Sequence, residues 1–194
     1  MYGLNIIIGN SDIKERKNLR DILTRNGYHV AGEAADGYSA MKLIRSLQPD
    51  VAILDSQLNG QNVLDIARIS AEDHLAPIIL TTDYNRRNLL DKAKEGWVFG
   101  FIMKPFDEEQ LVATVEITAV VYKKIAAKEK QVEDLKYQLQ ARKAIEKAKG
   151  LLMVRKGYSE EQAYKWMRDQ SMEKRKSLET IALAVIKTYH AKVN

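Results

Sequence analysis

The sequence predicts an α/β protein: a doubly wound, five-stranded parallel sheet, followed by a coiled-coil helix and a small three-helix domain. Three observations predict it. Over the first 106 residues short apolar runs alternate with amphipathic stretches, the runs are apolar on both faces, and neither Gly nor Pro falls between Asp107 and Gly150. Runs apolar on both faces are strands covered on both sides, the condition of a parallel sheet between two helical layers. A breaker-free stretch of about 43 residues leaves room for one helix of roughly 65 Å at 1.5 Å per residue.

The expected strands are Asn5 to Gly9, Tyr28 to Gly32, Val51 to Leu54, Pro77 to Thr81 and Phe99 to Met103. Helical spacing appears between them: Ile13, Leu19, Ile22 and Leu23; Ala40, Leu43, Ile44 and Leu47; Val63, Leu64, Ala67 and Ile69; Leu89, Leu90 and Ala93. Asp107 and Gln110 form a capping-box pattern that opens the long helix, whose first turns present Leu111, Val112 and Val115 to the sheet. Farther along, Ile125, Val132 and Leu139 recur every seven residues, with Val121 and Leu135 in the intervening d positions and Lys128 in a third. This short seam suits a marginal homodimer. Gly157 can end the helix in the left-handed conformation, and Ser159 with Gln162 caps the next. That helix carries Ala163, Trp166, Met167 and Gln170 on one face, read as core, and a third helix after Ser177 carries Ile181, Ala184, Val185 and Thr188. The expected domains are 1–120, a linker helix 121–140, and 141–194.

The absence of cysteine excludes disulfides and thiolate metal sites and suits a reducing compartment. No stretch approaches the roughly 20 apolar residues of a membrane span, and the start lacks a signal-peptide layout, so the expectation is a cytoplasmic protein without a membrane partner. Charge is uneven. Residues 1–106 hold 13 basic and 13 acidic side chains, whereas 141–194 hold 13 basic and 6 acidic, a net of +7. A basic end of that kind is either a solvated helical surface or a footprint for a polyanion such as nucleic acid.

In doubly wound sheets, ligands bind outside the carboxyl ends of the strands. Here that rim carries Asn10, Ser11 and Asp12 after the first strand, Asp55 after the third, Thr81 after the fourth and Lys104 after the fifth. A carboxylate nucleophile, a hydroxyl that hydrogen-bonds a phosphoryl oxygen and an ammonium that neutralises charge are the parts needed to accept a phosphoryl group. The motifs "DVAILDSQLNG", "PIILTT" and "FGFIMKPF" make residues 4–120 resemble the response-regulator receiver family. The resemblance implies that Asp55 is the phosphoacceptor position, Thr81 the switch hydroxyl, Phe101 the switch aromatic and Lys104 the family's lysine. It also implies two adjacent acids after the first strand that hold Mg²⁺, where this chain has Asn10 and Ser11. Mg²⁺ takes oxygen ligands, commonly with carboxylates among them. With Asp55 and at most Asp12 left to supply one, Mg²⁺ is expected to bind weakly, no cofactor is required, and Lys104 can pair with Asp55 instead. The alternative is a receiver still phosphorylated by a sensor kinase.

From residue 138 to 190 the chain resembles the ANTAR domain of transcription antitermination regulators. The resemblance is carried by Arg142, Ile145, Ala148, Lys149, Gly150 and Met153, then Gly157, Ser159, Ala163, Tyr164, Arg168, Ser171 and Met172, then Ser177, Leu178, Ile181 and Ala182. It implies a binding protein that holds paired RNA stem-loops in nascent leader transcripts and prevents an overlapping terminator hairpin. The expected RNA-binding residues are Arg142, Lys143, Lys147, Lys149, Gly150, Arg168 and Arg175. Gly150 costs a helix roughly 1 kcal/mol, which points either to a close backbone approach by a ligand or to a kink or tight helix packing. A DNA-binding response regulator is the rival output, and it would need a recognition helix in the major groove. Catalysis is not expected: the rim lacks a second carboxylate, and His29, His74 and His190 suggest no catalytic partnership. A sensor kinase or a sequestering protein would set the regulation.

Overall fold

The computed structural model describes residues 3–83 and 97–190. Five parallel strands form one sheet in the order β2-β1-β3-β4-β5, with β1 at Asn5–Gly9, β2 at His29–Ala34, β3 at Val51–Asp55, β4 at Ile78–Asp83 and β5 at Gly100–Lys104. This is the flavodoxin-like order, whose switch point lies between β1 and β3. Helices α1 (Ile13–Arg25), α2 (Gly37–Leu47) and α3 (Val63–Glu72) connect the first four strands. The helical pattern at Leu89, Leu90 and Ala93 lies outside the described residues.

Strand boundaries depart from expectation for local reasons. Tyr28 does not open β2, because its N–H closes the preceding turn onto Leu23 O and its ring is buried with the hydroxyl on Glu116; pairing begins when His29 N–H reaches Leu4 O. Pro77 contributes only an acceptor, taking the Ala52 N–H, and having no N–H it stands just before β4. β3, β4 and β5 each run on to include the polar residues Asp55, Asp83 and Lys104.

The sheet separates two cores. On one face Ile7, Leu54 and Leu80 pack with Met41 and Ile44 of α2 and Ile66 and Ala67 of α3. On the other, Ile6, Ile8, Ile53 and Ile102 pack with Leu19, Ile22 and Leu23 of α1 and with Leu111, Val115 and Ala119. Ile13, expected on the inner stripe of α1, is 72% exposed, because it lies well around the helix from Leu19 and Ile22. Leu47, the last residue of α2, is likewise exposed.

The long helix α4 runs Glu108–Lys156, with Gln110 N–H on Asp107 Oδ1 at 2.7 Å in its first turn. Two compact units divide inside it, Met1–Ala126 and Ala127–Asn194. Within the second, α4 ends at Gly157 (φ +68), α5 spans Glu160–Lys174 and α6 spans Leu178–His190. Ser159 and Gln162 complete a reciprocal capping box at 3.2 and 2.9 Å, and Ser177 Oγ accepts Thr180 N–H to start α6. Ala148 and Leu152 of α4, Ala163 and Met167 of α5, and Ile181, Ala182 and Val185 of α6 form the core. The expected α6 face is corrected: Ala184 and Thr188 are exposed and Ala182 takes the inner position. The expected seam residues Val121, Ile125, Val132, Leu135 and Leu139 are 38–56% exposed. Among the described residues no helix is long and apolar enough to cross a membrane.

Candidate functional site

The rim of the first unit gathers Asp55, Thr81, Asn10, Lys104 and one residue the sequence reading passed over, Glu15. Asp55 ends β3 opposite Thr81 of β4 and is 4% exposed. Its Oδ1 accepts the Gln57 N–H at 2.7 Å; its Oδ2 accepts the Thr81 hydroxyl at 3.1 Å, the Asn10 amide at 3.4 Å and the Lys104 ammonium. Lys104 also donates to Glu15 Oε2, and Asn10 Nδ2 donates to the same oxygen at 2.9 Å. Burial pulls the Lys104 ammonium down, but the hydrogen bonds and charges of Asp55 and Glu15 overcome it and hold it above the usual lysine value.

Asp12 and Ser11 take other work. Asp12 caps α1, its Oδ1 accepting the N–H groups of Lys14 at 2.6 Å and Glu15 at 3.1 Å. Those two backbone bonds hold its carboxyl below the usual range. Ser11 donates to Ala35 O and accepts Asn59 N–H, tying the loops after β2 and β3 together. Asn10 is the member of that pair that reaches Asp55. Its orientation is fixed, because Oδ1 accepts the Asp12 N–H at 2.7 Å and leaves the amide nitrogen to face the carboxylates. The same bond explains Glu15. In a capping box Glu15 would reach back to the Asp12 N–H; with that donor taken by Asn10, the Glu15 carboxylate turns to the rim. The spacing of Asp12 and Glu15 was the signal available in the sequence. Phe101 is half-buried against the α2/α3 core.

The second unit carries the basic surface. On α4 the exposed residues Lys143, Lys147, Gly150 and Val154 are spaced to share one stripe, opposite the core-facing Ala148 and Leu152. Arg142 is exposed beside them. A Cβ built on Gly150 meets nothing within 4 Å, so tight helix packing does not account for the glycine. Lys149 stands apart from the expected set: its side chain is 11% exposed and its ammonium lies 2.9 Å from Glu146 and 2.7 Å from Glu160. The hydrogen bonds to Glu160 and then Glu146 push the Lys149 ammonium above its ordinary value and pull Glu160 down. It joins α4 to the start of α5 and has its charge already matched. Arg168 is exposed on α5, and Arg175 is exposed at its left-handed cap (φ +50). Lys156 holds its ammonium 4.6 Å from the Trp166 ring centroid and 5.6 Å from that of Tyr158, a cation–π contact over the edge of the core.

The response regulator receiver domain model matches residues 6–116, and the ANTAR domain model matches residues 133–186. The chain belongs to the ANTAR response regulators. It is 31% identical over 183 residues to the transcriptional regulatory protein PdtaR of Mycobacterium tuberculosis, covering 94% of this chain and 89% of PdtaR. Its receiver is 32% identical over 111 residues to the chemotaxis protein CheY of Thermotoga maritima, covering 57% of this chain and 92% of CheY. Among solved structures, the signal receiver domain of a modulated diguanylate cyclase from Desulfovibrio desulfuricans superposes with a TM-score of 0.57 at 28% identity, covering 62% of this chain and 97% of that one. Asp55, Thr81, Phe101 and Lys104 therefore stand in a receiver domain, and the basic stripe of α4 stands in an ANTAR domain.

Proposed function

We propose that this response regulator is a cytoplasmic transcription antitermination factor that binds hairpin RNA in nascent leader transcripts through its ANTAR domain. The observation that carries the reading is the α4 stripe: two lysines, an unobstructed glycine and an exposed valine on one face, with Arg142 beside them. Lysines at that spacing suit phosphates, and a glycine one turn beyond Lys147 lets a backbone approach closely. The output is binding, not catalysis. Pairing of two chains along Val121, Ile125, Val132, Leu135 and Leu139 would present two such stripes to paired stem-loops, and tethering raises avidity without new contacts. A sensor kinase or a sequestering protein acts on the receiver.

The rival output, duplex DNA, is separated by filter binding at one salt concentration with a stem-loop RNA and a DNA duplex of equal length. The proposal expects tighter RNA binding, lost when Lys143 and Lys147 are replaced. Tighter binding of the duplex would overturn it.

A further inference from the structure

We infer that Glu15 is a positioning residue: it holds the Lys104 ammonium, which stands in for the divalent cation of a receiver, in an internal ionic lock on Asp55 that does not need Mg²⁺. The inference deepens the regulatory half of the function proposed above. From the residue after β1 the rim receives an amide nitrogen, because Asn10 Oδ1 is committed to the Asp12 N–H. From β5 it receives an ammonium, and from β4 a hydroxyl whose hydrogen points at Asp55 Oδ2. Asp55 Oδ1 is engaged by Gln57 N–H. Mg²⁺ needs oxygen lone pairs in near-octahedral order. Here every neighbour named on Asp55 offers hydrogens, and among the described residues no three acidic or histidine side chains converge to hold a metal. The residues present do not fit the ion.

They fit a cation of the chain's own. Lys104 is 18% exposed and donates to one oxygen of Asp55 and one of Glu15. Asn10, 2% exposed, donates to those same two oxygens. Two donors therefore cross-link two carboxylates in a closed square, and Glu15 is the corner that makes it closed. An isolated exposed ion pair contributes little; a pair whose members share a second, buried donor holds both in place. Without Glu15, Lys104 would keep a single carboxylate partner and Asn10 a single long contact to Asp55. The bland reading, a surface glutamate that happens to lie near a lysine, predicts no effect beyond the pair itself.

The test uses the full chain and magnesium chloride as the probe, read by two-dimensional proton–nitrogen spectra. A doubly bonded ammonium exchanges its protons slowly, so the Lys104 ammonium signal is expected in the wild type, lost in E15Q and retained in E72Q, which breaks only the surface pair with Arg68. The double variant N10D/E15Q, which places a carboxylate after β1 and removes the group that holds Lys104 on Asp55, is expected to bind Mg²⁺ at least about tenfold more tightly than the wild type. E15D keeps the charge but shortens the reach, and is expected to behave as E15Q does. Saturable magnesium binding by the wild type as tight as that of the double variant would overturn the lock, and so would an unchanged Lys104 signal in both E15Q and E15D. Hairpin affinity of the same variants separates the two proposals: weak RNA binding by the wild type would sink the antitermination reading and leave the lock to its own spectra.

Discussion

Replacing Gly150 with alanine should move stability and binding in opposite directions. Gly150 lies inside α4, on its exposed side, with no neighbour within 4 Å of an added Cβ. Alanine there removes the backbone-entropy cost of an interior glycine without a clash, worth about 1 kcal/mol to the helix. For a unit the size of the ANTAR domain this raises its unfolding midpoint by about 4–8 °C. If RNA approaches at that gap, the methyl group intrudes on a packed contact and costs about 1–3 kcal/mol, a loss of roughly 5- to 150-fold in hairpin affinity. Trp166 fluorescence follows the domain in a W97F background, since the chain has two tryptophans. Filter binding measures the RNA. A more stable variant with undiminished affinity would refute the placement of RNA over Gly150, and a less stable one would refute the open helix face.

Other perturbations bear on separate parts of the account. K149M should lower the stability of the ANTAR domain, because it removes the ammonium that bridges Glu146 of α4 and Glu160 of α5, yet leave the salt dependence of RNA binding intact; K147A should leave stability unchanged and reduce the slope of log affinity against log salt by about 1 per chain. Leucine at Lys128 fills the polar d position of the seam and should tighten dimerisation by at least about tenfold in sedimentation equilibrium, while L135K should weaken it comparably. Burial, with the Glu116 hydrogen bond and charge, pushes the Tyr28 phenol up to about 12 from its ordinary 10.0. A group with a raised folded value contributes stability below its unfolded value and loses it as pH climbs toward the folded one, so the receiver should lose stability from pH 10 upward and Y28F should flatten that fall in urea midpoints.

Much of this molecule was legible before its coordinates. Strands buried on both faces announce themselves as apolar runs, and the rim follows from the rule that ligands meet strand C-termini, so Asp55, Thr81 and Lys104 could be placed together from sequence spacing. Gly157 and the Ser159–Gln162 box were equally plain, because caps are short-range chemistry. What escaped was partner choice. Ser11 and Asp12 are both good caps; the structure gives the cap to Asp12 because Ser11 is held by Ala35 and Asn59, residues distant in sequence. Glu15 looked like an ordinary first-turn acid, and only the diversion of the Asp12 N–H to Asn10 releases it to the rim. Lys147 and Lys149 read alike in a basic segment, yet they differ by two residues, roughly 200° around a helix. One lies on the open stripe and the other is clamped between two glutamates.

The central claim, that the ANTAR domain acts on nascent RNA, is tested most directly by single-round transcription. A stem-loop pair recovered by selection for binding is placed so that its second stem overlaps a terminator, and read-through is measured as protein is added. The account predicts that read-through rises with wild-type protein and stays at the protein-free level with the Lys143 and Lys147 double alanine variant. Termination that is unchanged while the hairpins are fully bound would contradict it.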